Sequence, residues 1–335
     1  MNRTCSACRS PRLSPPFPVS EMMFGTGEVF EYVECLSCGT LQIFDVPEDL
    51  DPYYPASYYA YGDPGGLVEG GVLGGALQWL RGRRWLASMG GRTTIGAVAN
   101  RVRGEPFVAG SHSGHAHEWA SFLVNRKDQR VLDVGCGAGH LLYQLRQVGF
   151  QNLTGIDPYL PVERDLGDGL RLLRREVEAA PGLGPFDIVM MHHVLEHIAR
   201  PDEALEVVAD ALAPDGTLLV RIPVAGTYAW RHYGTDWFQI DPPRHLVVPS
   251  EQGMRALARR SGFEVERVVY DSSSFQFRAS EQARTGVALA DAGSRGGSAE
   301  LPPFSERQIK AFEVRARELN ALGDGDQAAF FLRRV

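Results

Sequence analysis

Two groups of residues can do chemistry by their type and spacing. The first is Asp133-Val134-Gly135-Cys136-Gly137-Ala138-Gly139, with a second acid downstream at Asp157. Glycines let a backbone approach a ligand at a helix N-terminus, and an acid ending the next strand can accept hydrogen bonds from both hydroxyls of a ribose. The dinucleotide fingerprint spaces its glycines G-x-G-x-x-G. Here the spacing is G-x-G-x-G, and Asp133 stands two residues before the first glycine. A carboxylate there repels a pyrophosphate and suits a cation or an amino group. The second group is Cys5-x-x-Cys8 with Cys35-x-x-Cys38. Each pair can grip one side of a tetrahedral zinc, and a closed four-cysteine site leaves no open position for catalysis, so the metal is structural. Disulfides or incidental cysteines are the competing readings. Against them, Met1-Asn2-Arg3 opens into polar sequence without a signal-peptide core. Cys136, in the glycine turn, is a thiol better tolerated in a reducing compartment, and the expected location is cytoplasmic.

These residues need elements to hold them. Val131 to Val134 reads as a strand ending in the glycine turn, Leu141 to Val148 as the helix after it, and Leu153 to Ile156 as a strand stopping at Asp157. Phe186 to Met191 reads as a buried strand leading into His192-His193-Val194-Leu195-Glu196-His197-Ile198. Pro201 to Leu212 has helical spacing, Pro214-Asp215-Gly216 is a turn signal, and Thr217 to Pro223 reads as a fifth strand. Ser250 to Arg260 is helical, Phe263 to Tyr270 a sixth strand, Phe304 to Leu322 a helix, and Gln327 to Leu332 a final antiparallel strand. Such alternation predicts an α/β, doubly wound sheet with its site at the carboxyl ends of the strands. Around the cysteines, Tyr32, Val33, Leu41 and Ile43 read as short strands of a zinc ribbon. A ribbon of about forty residues cannot bury enough core alone, so the metal would supply much of its folding energy.

The glycine turn with its acids resembles motif I of the class I S-adenosylmethionine-dependent methyltransferases. The FD-apolar-HVLEH phrase at 186–197 and the Asp241-Pro242-Pro243-Arg244-His245-Leu246 segment extend the resemblance in register. It implies a Rossmann-like, seven-stranded methyltransferase sheet with S-adenosyl-L-methionine as cofactor. Asp133, Gly135, Cys136, Gly137 and Gly139 would hold the methionine portion and Asp157 the ribose. Ile156 and Pro158 would flank the adenine, and His193 is expected beside the cofactor. Because a sulfonium-bound methyl is already electrophilic, the protein mainly aligns the acceptor and removes its proton. His245, in a segment with Asp241, Arg244, Tyr228 and Trp237, is the preferred general base, and His197 the second candidate. For both, pinning a loop is the structural alternative.

With its N-terminal ribbon, the chain resembles bacterial sugar and natural-product methyltransferases. The C-methylating deoxysugar enzymes carry a further C-terminal domain, so methylation of a hydroxyl on a sugar or similar polar small molecule is expected. Arg231 and Arg244 could meet a phosphate or carboxylate on a nucleotide-linked sugar or glycan. Competing functions are an RNA methyltransferase contacting RNA through its ribbon, a dinucleotide oxidoreductase, and a non-catalytic cofactor-binding scaffold. The net charge of −7 argues against an extended nucleic-acid surface, and no nucleic acid is expected. No apolar stretch approaches membrane-spanning length, and nothing signals an oligomeric state.

The 335 residues divide into a zinc ribbon (1–50), an aromatic joint and helical lid (51–115), and a methyltransferase core (116–335) with an insertion at about 280–320. The joint is aromatic from Tyr53 to Tyr61 and either stacks on a substrate or packs ribbon against core. Residues 62–110 are glycine-rich but include Trp79, Leu80, Trp85 and Leu86 beside Arg81, Arg83 and Arg84. They read as helices lidding the active site, with a membrane-surface helix as runner-up. His112, His115 and His117 read as a linker rather than a metal cluster. Gly293 to Gly297 reads as a loop.

Overall fold

The parallel strands are rich in apolar residues on both faces, as in Ile188–Met191 and Leu218–Val220, which requires that both faces be covered. The computed structural model describes residues 4–54, 72–88, 92–103, 117–123, 126–160, 162–167, 169–289 and 304–335, and satisfies this requirement. Strands β1 (Phe17–Ser20), β2 (Val29–Glu34) and β3 (Leu41–Ile43) form the N-terminal module. Helices α1 (Val72–Ser88), α2 (Thr94–Arg103) and α3 (His117–Ser121) follow. Next come β4 (Arg130–Val134), α4 (His140–Val148), β5 (Asn152–Ile156), β6 (Arg164–Asp165), β7 (Leu170–Leu173) and α5 (Ala180–Leu183). Then come β8 (Phe186–His192), α6 (Pro201–Ala211), β9 (Leu212–Pro223), α7 (Tyr228–Tyr233), β10 (Val247–Val248) and α8 (Glu251–Arg260). The chain closes with β11 (Phe263–Tyr270), α9 (Phe275–Arg284), α10 (Glu306–Ala321) and β12 (Gln327–Arg334).

The large sheet runs β11-β12-β9-β8-β4-β5-β7-β6. Strands β9, β8, β4, β5 and β7 are mutually parallel, and β12 inserts antiparallel between β11 and β9. The expected strand count of seven is exceeded by the two-residue β6, hairpinned on the edge of β7. Alternate residues serve alternate faces, as the strand period requires. Leu132, Val189, Met191 and Val220 pack with Leu205, Val208, Met254 and Leu257 of α6 and α8. Val131, Ile188, Met190 and Leu219 pack with Leu141 and Leu145 of α4 and with Trp85 and Trp119. Among the described residues no helix is long and apolar enough to cross a membrane.

Three stretches take a form that their sequence did not specify. The expected turn at Pro214-Asp215-Gly216 is extended backbone inside β9. Phe186 pairs with Leu212 and Ile188 with Thr217, so β9 spends three extra residues there, and the irregular register accommodates the proline and glycine. The third parallel strand is β7, upstream of Glu176, and Val177–Ala179 is a single 3₁₀ turn. In the region read as a lid, α1 packs along α4. A Cβ on Gly82 would stand 2.3 Å from Gln147 O, near the C-terminal end of α4, while Trp85 and Leu86 join the core beneath. Together with α4, this helix covers the flank of the sheet. The aromatic residues after Tyr54, His112, His115 and the Gly293–Gly297 loop lie outside the described residues.

The ribbon sheet runs β1-β2-β3-β10, and its fourth strand comes from the core: Val247 and Val248 pair with Gln42 and Leu41. Ser250 then caps α8 by accepting the Gly253 N–H at 2.9 Å. That helix starts where the two modules meet.

Candidate active site and cysteine cluster

The glycine turn is built as its spacing requires. Gly135, Gly137 and Gly139 have φ of +68°, +53° and +85°, the left-handed region that favours glycine. Close approach matters as well: a Cβ on Gly135 would stand 2.3 Å from Val194 Cγ2, and one on Gly139 would stand 2.7 Å from Leu172 Cδ1. The turn thus lies directly against the HVLEH phrase. Its two acids meet behind it. Asp157 accepts N–H bonds from Gly137 (2.9 Å, to Oδ2) and Tyr159 (2.8 Å, to Oδ1), while burial raises its carboxyl. Asp133 is buried beside it. Desolvation, reinforced by the Asp157 charge, pushes Asp133 up to about 8. A positive group placed against this buried carboxyl would restore its charge. Cys136 joins the turn as a half-buried thiol, raised by its own desolvation and the neighbouring acids. Pro158 is partly buried beside Asp157.

The HVLEH phrase leaves β8 with His193 at φ +53°. Both nitrogens of His193 are taken by the protein. Arg221 Nη1 donates to Nε2 (2.9 Å), and Nδ1 donates to Glu196 Oε1 (3.2 Å). Burial and the Arg221 charge hold the ring neutral. Arg221 is in turn paired with buried Asp271 at 2.6 Å. The His193 side chain thus bonds within this internal network, and it is the Val194 side chain that borders the turn.

Residues 239–248 reach the phrase through Leu246 N–H, which donates to Glu196 O at 2.7 Å. The two candidate histidines meet here, with ring centroids 4.7 Å apart. His245 Nδ1 donates to Gln239 O (2.7 Å) and His197 Nδ1 to Arg244 O (2.9 Å), since a carbonyl can only accept. Each ring thus keeps an Nε2 lone pair. Desolvation, then the neighbouring His245, lowers His197 to about 4. Tyr54, stacked on Tyr159 at 5.9 Å, brings its hydroxyl within 2.9 Å of His197 Nδ1. Of the aromatic joint, Tyr53 and Tyr54 pack ribbon against core.

Both arginines proposed as anion seats are committed elsewhere. Arg231 pairs with both carboxylate oxygens of Asp324, at 3.0 and 2.7 Å. Arg244 is fully buried between Asp241 and Glu21. Glu21, from the loop after β1, and Tyr32, whose hydroxyl donates to His245 O at 2.7 Å, hold the histidine segment from the ribbon side. Neither carried a sequence signal, because each works only through a tertiary contact. Glu196 stood in the phrase without a role, although its adjacency to His197 was visible.

In the ribbon, Cys5, Cys8, Cys35 and Cys38 converge in one cluster. Cys5 and Cys38 sulfurs are 3.6 Å apart, as are those of Cys8 and Cys35. These spacings are far longer than a disulfide and close to the edge of a tetrahedron with zinc–sulfur bonds of about 2.3 Å. The donor set and geometry are those of structural zinc. Left-handed residues, Arg9 at φ +62° and Gly39 at φ +73°, close the two knuckles.

Comparison with known proteins adds a lineage to this geometry. A family described as "Methyltransferase domain" matches residues 114–268. A ubiquinone biosynthesis O-methyltransferase of Caulobacter sp. (strain K31) is 37% identical over 140 residues, 35% of this chain and 55% of that protein. One of the same name from Bordetella avium (strain 197N) is 32% identical over 167 residues, 44% of this chain and 67% of that protein. A tRNA U34 carboxymethyltransferase of Colwellia psychrerythraea (strain 34H / ATCC BAA-681) is 31% identical over 169 residues, 45% of this chain and 49% of that protein. The chain thus spans about half the length of the first and third of these relatives. The expectation that nucleic acid plays no part is overturned, since relatives at this similarity include tRNA-modifying enzymes. Overall charge was a poor guide, because a negative total says nothing about one local face.

Proposed function

The chain belongs to the S-adenosylmethionine-dependent methyltransferase family, and from that premise we propose that it transfers the cofactor's methyl group to an oxygen of a polar acceptor. One observation carries this reading. Asp133 and Asp157 form a buried acidic pair behind three left-handed glycines, a seat for a cationic ligand that approaches the backbone closely. Asp133 and the turn from Gly135 to Gly139 take the methionine end, and Asp157 has lone pairs left for the ribose. His197 and His245 lie beyond Val194 and present Nε2 lone pairs where an acceptor hydroxyl must lose its proton. A hydroxyl of a polar small molecule is the first acceptor class, in keeping with relatives named O-methyltransferases. The engagement of Arg231 and Arg244 removes the support for a phosphate-bearing one. Four cysteines gathered as metal ligands and the thiol of Cys136, none in a disulfide, fit a reducing, cytoplasmic setting.

An RNA acceptor is the second reading, favoured by the relatives named for tRNA. The test is calorimetric binding of S-adenosylmethionine, followed by S-adenosylhomocysteine release with polyols, sugars, phenols and unmodified tRNA. Saturable cofactor binding with turnover on a hydroxyl compound is expected. Failure to bind the cofactor would sink the proposal, and turnover confined to tRNA, with salt-sensitive binding, would select the second reading.

A further inference from the structure

Glu196, His197 and His245 each offer a ligand atom lying within 4.8 Å of the other two. We propose that these three side chains bind a divalent transition-metal cation on the acceptor side of the cofactor site. Both histidines are prepared as ligands. Each donates its Nδ1–H to a backbone carbonyl, which fixes the tautomer and leaves Nε2 as a lone-pair donor. Glu196 supplies the charge. Its side chain is fully buried; Oε1 accepts from His193 while Oε2 has no hydrogen-bond partner. A buried carboxylate oxygen left bare is costly unless something positive meets it.

The surroundings agree. Of the nearby arginines, Arg221, whose charge reaches Glu196, is paired with Asp271, and Arg244 is neutralised by Asp241 and Glu21. Asp241 Oδ2 is 3.8 Å from His245 Nε2, too far for a hydrogen bond, and its carboxylate is held by Arg244. Two imidazoles and one carboxylate suit zinc, cobalt, manganese or iron in the divalent state better than magnesium or calcium. Three protein ligands leave a position open for an acceptor oxygen.

The role of this site rests on the proposed methyl transfer. A hydroxyl bound at the open position loses its proton to solvent more readily. Its oxygen then forms the bond to the methyl carbon, the carbon–sulfur bond breaks with its electron pair on sulfur, and a methyl ether and S-adenosylhomocysteine result. His197 and His245 would then act as ligands rather than as bases.

The test titrates Co2+ into the full chain with zinc already in its cysteine cluster, following visible absorption and proton NMR. One equivalent should bind without a thiolate charge-transfer band. Two exchangeable, hyperfine-shifted resonances, the Nδ1–H protons of His197 and His245, should appear in water and vanish in D2O. Glu196→Gln and His245→Asn should each weaken binding about ten-fold or more. The NMR reading needs only the unaltered protein, so a variant that fails to fold leaves the test intact. No bound equivalent, or a bound ion without the shifted imidazole protons, overturns the site. Cobalt binding lost while S-adenosylmethionine still binds would remove the cation and spare the methyltransferase reading; the reverse pattern would do the opposite.

Discussion

At the scale of single residues, Asp133 concentrates the argument. Its ordinary carboxyl value is 3.8, and burial beside Asp157 moves it to about 8 in the folded chain. A raised folded value favours the folded state most below the unfolded value and loses that advantage as pH rises through about 8. The cofactor-free protein should therefore lose thermal stability between pH 4 and 8 from this group, and a differential scanning series would show it. Asp133→Asn removes the ionisation, so its cofactor-free melting temperature at pH 8.5 should exceed that of the parent. Cofactor binding should respond in the opposite sense. Seating a cation requires Asp133 to ionise, so binding near pH 7 should release close to one proton, measurable by calorimetry in buffers of differing ionisation enthalpy. The Asn variant should release none and bind about ten-fold or more weakly, about 1.4 kcal/mol or more. Equal proton release in both proteins would place the cation elsewhere.

At the scale of elements, what could be read locally was read, and what depends on distant partners was not. The glycine turn, strands β5 and β8 to within a residue of their ends, and α8 with its Ser250 cap follow from spacing, propensity and capping chemistry within a few residues. The cysteine knuckles were legible for the same reason. Strand β10 was not: two valines carry no strand signal until Leu41 and Gln42 offer them an edge. Nor could the sequence show that Arg244 is buried by Glu21, some two hundred residues earlier, so a structural ion pair resembled an anion seat. These long-range ties join the ribbon to the histidine segment. Disrupting the metal site with Cys8→Ser should accordingly loosen residues 241–248 together with residues 17–43. Hydrogen exchange should rise at Leu246 and His245, whose partners Glu196 O and Asp241 O belong to the core, while β4 and β8 remain protected. Unchanged protection across 241–248 would mean that the core alone holds that segment.

At the scale of the whole molecule, the ribbon and the Rossmann-like sheet share one interior. Cys5, Ala7, Cys35 and Cys38 belong to the same buried cluster as Leu132, Met254 and Phe330. Arg260 of α8 donates to Ala7 O at 2.8 Å and pairs with Asp202 at 2.7 Å, and Arg9 of the first knuckle pairs with the same Asp202. Gly253 permits the closest approach: a Cβ there would stand 2.1 Å from Thr40 Oγ1. A module too small to fold on its own core thus borrows the larger one, and its metal stabilises a surface that the core needs covered. Because neither part can open without exposing the other's apolar face, the zinc-loaded chain should unfold in a single transition. Its calorimetric and van't Hoff enthalpies should agree, with tryptophan fluorescence and far-ultraviolet dichroism coincident. Gly253→Val should lower that transition as a whole, by about 1–3 kcal/mol, since the added methyls must separate α8 from the knuckle. Two resolved transitions in the parent, or a loss confined to one of them in the variant, would show that ribbon and sheet are separate folding units.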